Sequence, residues 1–221
     1  MNTFNVGDVV GVSPVRYSDN TCKYCTNKEK TTNMCDERVY TYDGAYFGGF
    51  ATHMQIDNHW AFKVPQGLLP HIKDLPPLLC AGVTVYAPLR RYCKPGAKCA
   101  IIGIGGLGHL GVMFGNKLGM KVTAFTTKVN TPEPYLAMGA SDVQHSVNEE
   151  ELAKLEGTFD LVISTLYIKK PALHRLHQRL TKTGGVFVMV GAPDTNSPYI
   201  LDNEYLVNNE ITVAGSNVGS Q

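Results

Sequence analysis

The sequence predicts an α/β protein: a doubly wound parallel sheet covered by helices, preceded by a β-rich, irregular segment. Three observations predict it. From about residue 80 to 219, short apolar runs alternate with helix-like stretches, the pattern of parallel strands buried on both faces. The first of these runs ends in Gly103-Ile104-Gly105-Gly106-Leu107-Gly108 and opens directly into a helical pattern. Ahead of residue 75 the pattern changes to short strands joined by loops rich in Asn, Thr, Gly and Asp. The expected division is a first domain over residues 1–76 and a second over 77–221.

Taken in chain order, Asp8 to Val12 and Phe50 to Ile56 read as strands of the first domain. Pro76-Pro77, followed by helix-like Leu78 to Leu89, reads as the crossover into the second. There, Ala100 to Gly103, Lys121 to Phe125, Phe159 to Ser164, Val186 to Val190 and Ile211 to Gly215 are the strand candidates, and Leu110 to Leu118 is the helix after the glycine turn. This is a Rossmann-type arrangement.

The glycine turn has the form of a dinucleotide pyrophosphate site. Gly103 serves a tight turn, Gly105 lets backbone approach the pyrophosphate, and Gly108 allows helix to pack closely on strand. The phosphates would sit on the helix N-terminus, where unpaired N–H groups and the helix dipole favour negative charge. A merely tight strand-to-helix turn is the alternative. After the next strand come Thr126-Thr127-Lys128, where a chain selecting NAD usually carries Asp or Glu. Two hydroxyls and an ammonium can donate to a 2′-phosphate, so NADP(H) is favoured over an ordinary polar loop.

Composition excludes several classes. At 221 residues, with 43% hydrophobic and 18% charged residues, the chain has material for a core, and a net charge of +1 gives no case for nucleic acid or an anionic membrane surface. No apolar run approaches a membrane span and the first residues do not resemble a signal peptide, so a cytoplasmic location is expected.

Three of the six cysteines, Cys22, Cys25 and Cys35, fall in one polar loop, which suggests metal binding rather than a disulfide scaffold. Three places before Cys22 stands Asp19, giving Asp19, Cys22, Cys25 and Cys35 as a closed, structural zinc set; three free thiols are the alternative. Cys93 and Cys99 read as core or surface thiols. His53, His59 and His109 show no ligand spacing, and His174 and His177, one helical turn apart, read as a solvated face.

In order, Gly7-Asp8-Val9-Val10-Gly11-Val12, the cysteine lobe, Gly48-Gly49-Phe50, Leu78-Leu79-Cys80-Ala81-Gly82-Val83-Thr84-Val85-Tyr86, the run Gly103 to His109 and Gly215-Ser216 resemble zinc-dependent medium-chain alcohol dehydrogenases, most nearly the cinnamyl alcohol dehydrogenase-like branch. The resemblance covers essentially the whole chain. It implies part of a GroES-like catalytic domain ahead of a Rossmann-type NADP(H) domain, interconversion of primary alcohols and aldehydes, a catalytic and a structural zinc per subunit, and a homodimer through the strand near Ile211 to Gly215. By position it assigns Gly103, Ile104, Gly105, Gly106, Leu107 and Gly108 to the pyrophosphate, and Thr126, Thr127 and Lys128 to the 2′-phosphate. Thr84, Thr165, Gly191, Ser216, Asn217 and Val218 are placed around the nicotinamide half, where turn chemistry is an equal reading for Thr165 and Gly191. Cys80 takes the place of a catalytic zinc ligand.

The family's other catalytic ligands, a Cys and a His followed by Glu, fall upstream of Met1, and the family continues past Gly215-Ser216. The expectation is therefore an incomplete copy, with no complete catalytic set and no alcohol dehydrogenase activity of its own. A catalytically inactive NADP(H)-binding module is the other reading. A zinc-independent quinone reductase-like protein fits less well, because such chemistry needs neither the cysteine lobe nor Cys80.

Overall fold

The computed structural model describes residues 4–27, 31–44, 46–92, 94–166, 170–191 and 199–219. Cys93 lies outside the described residues. The chain divides into two compact units, Met1–Val83 with Val218–Gln221, and Thr84–Asn217.

The first unit is built from very short strands: β1 (Val10–Val12), β2 (Val15–Tyr17), β3 (Val39–Tyr40) and β4 (Ala61–Lys63). β1 pairs with β4 and β2 with β3, both antiparallel. Between β2 and β3 the chain forms one turn of helix, α1 (Lys23–Thr26), in the cysteine loop. Val15, Trp60 and Ala61 are buried, and the Trp60 indole N–H donates to Ser18 Oγ at 3.2 Å, which satisfies its one polar atom. The strand expected over Phe50 to Ile56 is absent. Phe50 points fully into solvent, and these residues have no ladder partner among the described residues; strand propensity without a cross-strand neighbour makes no strand. Pro76–Leu79 forms a 3₁₀ turn, and α2 (Ala81–Tyr92) starts three residues later than the apolar pattern suggested.

The second unit runs β5 (Lys98–Ile102), α3 (Gly108–Lys117), β6 (Lys121–Thr126), α4 (Glu133–Ala137), β7 (Asp142–His145), α5 (Glu149–Lys154), β8 (Phe159–Ser164), α6 (Pro171–Arg179), β9 (Thr181–Met189), α7 (Asn203–Asn208) and β10 (Thr212–Gly215). The strands form one parallel sheet in the order β7-β6-β5-β8-β9-β10. Successive residues of β5 face opposite sides, so Cys99 and Ile101 enter one core with Val112, Val122 and Ile163, while Ala100 and Ile102 enter another with Phe125, Phe159 and Phe187. Cys99 is thus a core thiol. Strand order reverses between β5 and β8, and in open α/β sheets the crevice at such a switch point, outside the carboxyl ends of the strands, is where ligands bind.

His174 and His177 do not form a solvated face: they are 4% and 0% exposed. The amphipathic pattern of α6 turns them inward with Leu173 and Leu180. His177 Nε2 lies 2.8 Å from the Ser146 carbonyl, and His174 Nδ1 accepts the Ile200 N–H while its ring stacks on Tyr199. Burial pushes the His177 pKa down to about 4, which keeps the ring neutral and its Nε2 a donor. Among the described residues no helix is long and apolar enough to cross a membrane.

Candidate functional site: a nucleotide crevice and a thiol cluster

β5 delivers the chain to Gly103, whose φ of +90° makes the turn; a Cβ there would meet the Leu166 side chain at 2.4 Å. A Cβ on Gly108 would lie 1.9 Å from the Gly103 carbonyl oxygen, so only glycine lets α3 start this close to the strand end. Gly105 and Gly106 have nothing within 4 Å of their would-be Cβ and face open space. α3 begins without a side-chain cap; in its first turn the His109 N–H donates to the Gly105 carbonyl at 3.1 Å. His109 is half-buried, and its Nδ1 sits 2.9 Å from the Gly105 carbonyl, a contact that needs a proton on Nδ1.

These glycines border a pocket of about 450 Å³. Gly103 to Leu107, Thr126, Thr127, Lys128 and Thr165 line it, joined by Tyr135, Ser146, Val147 and Leu166, which sequence reasoning missed. A signal for Ser146 and Val147 existed: they follow β7, and ligands gather at carboxyl ends of strands, but mostly polar Asp142–His145 shows its strand character only once paired to β6. Thr127 and Lys128 are exposed at the rim, whereas Thr126 is 6% exposed. Thr165 Oγ1 lies 3.0 Å from the Ile102 carbonyl and 2.7 Å from that of Gly103, so its hydroxyl staples the end of β8 to the glycine turn.

The other expected residues are not among those that line this pocket. Gly191 lies against the Leu166 carbonyl, 2.6 Å from where its Cβ would be, and the Ser216 N–H donates to the Met189 carbonyl. Thr84 is buried in α2. Asn217 closes the second unit, and the Val218 carbonyl, in the first, accepts from the Asn33 side chain.

In the first unit, Asp19, Cys22, Cys25 and Cys35 come together: one ligand atom from each lies within 4.8 Å of all the others. Cys22 and Cys25 bring their sulfurs to 3.6 Å, close to the roughly 3.8 Å edge of a tetrahedron of thiolates about 2.3 Å from zinc. Backbone N–H groups of Cys22 and Thr21 hold the Asp19 carboxylate and pull its pKa well below the usual range. Burial, reinforced by Cys22 and Asp19, pushes the Cys25 thiol up to about 12. Without a cation the Cys25 thiol thus resists ionisation; a divalent ion held by the cluster reverses that sign. The residues present fit a closed four-ligand site.

Cys80 sits elsewhere in the first unit, exposed, in a pocket of about 240 Å³ with Thr41, Tyr42, Met54 and Ser13. No second Cys, no His and no carboxylate lines that pocket among the described residues. A catalytic zinc needs three protein ligands and an open fourth position, so the described residues do not fit one there.

Residues 106–221 match the zinc-binding dehydrogenase family profile, and residues 1–66 match that of the alcohol dehydrogenase GroES-like domain. The chain is 35% identical over 228 residues to a probable mannitol dehydrogenase of Mesembryanthemum crystallinum, covering 99% of this chain and 61% of that one. Its fold overlays a cinnamyl alcohol dehydrogenase of Sorghum bicolor with a TM-score of 0.83 at 31% identity, over 99% of this chain and 63% of the other. A Helicobacter pylori cinnamyl alcohol dehydrogenase complexed with NADP(H) overlays with a TM-score of 0.81 at 26% identity, over 99% and 63%. The chain thus spans about three fifths of the length of these relatives. With the glycine turn at the switch point and the thiol cluster in the preceding unit, this chain belongs to the zinc-binding dehydrogenase family, in the cinnamyl alcohol dehydrogenase-like branch of the medium-chain alcohol dehydrogenases.

Proposed function

We propose that the protein binds NADP(H) in the crevice at Gly103–Gly108 and serves as an alcohol dehydrogenase or aldehyde reductase acting on primary alcohols and aldehydes. The observation that carries the cofactor reading is the pocket that joins the glycine turn to a strand end with Thr126, Thr127 and Lys128 and, among the described residues, no carboxylate. The open N-terminus of α3 would take the pyrophosphate, and the rim ammonium of Lys128 with the two threonines would take the 2′-phosphate. A bound nicotinamide supplies the hydride. Asp19, Cys22, Cys25 and Cys35 would hold a structural zinc that closes the loop carrying them. Similarity to cinnamyl alcohol and mannitol dehydrogenases supports the substrate class.

A second reading, a catalytically silent NADP(H)-binding module, is favoured by one observation: among the described residues Cys80 is the only metal-ligating side chain in its pocket. Titrating the purified 221-residue chain with NADPH by fluorescence, then assaying it with zinc and a primary aldehyde, separates the two. Binding with zinc-dependent turnover supports the reductase, and binding without turnover supports the module. Failure to bind NADPH overturns both.

A further inference from the structure

Thr126 and Tyr135 meet in the wall of the nucleotide pocket. Thr126 ends β6 and Tyr135 stands in α4, and both are nearly buried, at 6% and 9% exposure, yet both line the pocket. Their hydroxyl oxygens are 3.3 Å apart, and the Lys128 backbone N–H donates to Thr126 Oγ1 at 3.2 Å.

Counting protons gives the consequence. Each hydroxyl has one proton to donate and two lone pairs to accept with. The pair holds two protons and spends one on the bond between its members, whichever of them donates. The Lys128 N–H fills a lone pair on Thr126 and uses no hydroxyl proton. Among the described residues neither hydroxyl has a further acceptor, so one O–H is left over beside the pocket. A phosphate oxygen only accepts, so it matches a surplus donor. A ribose 2′-hydroxyl can also accept from it, but only as a neutral acceptor, whereas the bond to an ionised phosphate oxygen is charge-assisted and roughly twice as strong. The same pair also fixes the turn that presents Thr127 and Lys128 at the rim, because the Lys128 N–H is tied to Thr126.

We propose that the Thr126–Tyr135 hydroxyl pair reads the 2′-phosphate, with Tyr135, a residue outside the Thr126–Lys128 turn, bonding to the Thr126 hydroxyl so that the remaining O–H of the pair is held toward the pocket. Thr126 therefore acts from beneath, as half of this pair, while Thr127 and Lys128 act from the rim. This rests on the NADP(H) reading.

The test is fluorescence titration of the 221-residue chain with NADPH and NADH, and competition by adenosine 2′,5′-bisphosphate, for the wild type, Tyr135→Phe, Thr126→Val and Thr126→Ser. Tyr135→Phe keeps the ring and its packing. It should weaken NADPH and the bisphosphate by about three- to ten-fold and change NADH by less than two-fold, the size of one lost hydrogen bond. Thr126→Val should lose at least as much, and Thr126→Ser should keep the wild-type preference. A wild-type chain with no preference for NADPH overturns the NADP(H) reading and this inference with it. A wild type that prefers NADPH while Tyr135→Phe keeps the full preference, or weakens both cofactors equally, overturns this inference alone.

Discussion

The sheet of residues 84–217 buries Ile101, Ile102, Phe125, Leu161, Ile163 and Phe187 almost completely, on both faces. The described part of residues 1–83 buries little apolar material beyond Val15, Cys35, Trp60 and Ala61, and leaves Phe47 and Phe50 in solvent. Full burial of a large apolar side chain is worth about 1.5–3 kcal/mol, so the second unit can hold its shape by core alone. The first has strands of two or three residues and a connection from β2 to β3 that passes through the thiol cluster. Where the core is thin, a metal cross-link is the available substitute.

That contrast can be broken from either side. Trp60 is the single tryptophan, lies in the first unit and bonds to Ser18 at the edge of the cysteine loop, so its emission reports that unit and not the other. Removing metal with a strong chelator, or Cys25→Ser, should unfold the loop and expose Trp60, since a structural zinc contributes about 10 kcal/mol or more of apparent binding energy. NADPH binding should persist. An unshifted Trp60 emission in metal-free protein would show that the loop stands without its ion.

Gly108→Ala attacks the other unit. With the new methyl 1.9 Å from the Gly103 carbonyl, α3 cannot begin where it does. The variant should lose about 3 kcal/mol or more of stability by denaturant melts and bind no NADPH, while Trp60 emission in its folded form stays native. A variant that still binds NADPH would mean the turn can relax without cost.

The smallest effect is acid sensitivity. His177 has its pKa lowered from 6.5 to about 4 by burial in the fold, so the unfolded chain binds more protons between those values. Stability is full above about pH 6.5 and falls as pH drops toward 4, by about 2 kcal/mol near pH 5. His177→Gln should flatten that slope in melting curves followed by circular dichroism; an unchanged slope would assign the acid sensitivity elsewhere.

Much of this was legible in the residues. The second unit's strand candidates each coincide with an observed strand to within a few residues, because a parallel strand buried on both faces is a continuous apolar run that needs no context to be seen. The glycine turn was legible for the same local reason: Gly103 and Gly108 are demanded by φ and by contact within six residues of chain. Edge strand β7 was not, because three of the four residues Asp142-Val143-Gln144-His145 are polar and the segment becomes a strand only against β6. Phe50 to Ile56 erred the other way, with strand-like residues and no partner.

The sequence by itself determined the α/β class, the glycine turn and the membership of the thiol cluster, since each depends on neighbours close in the chain. Only the tertiary structure decided which polar groups face inward. It turned His174 and His177 into buried residues, left Cys80 without a companion ligand among the described residues, and set the Tyr135 hydroxyl against Thr126 nine residues away. The physical reason is that periodicity tells which residues share a face, while what covers that face depends on segments brought back from far along the chain.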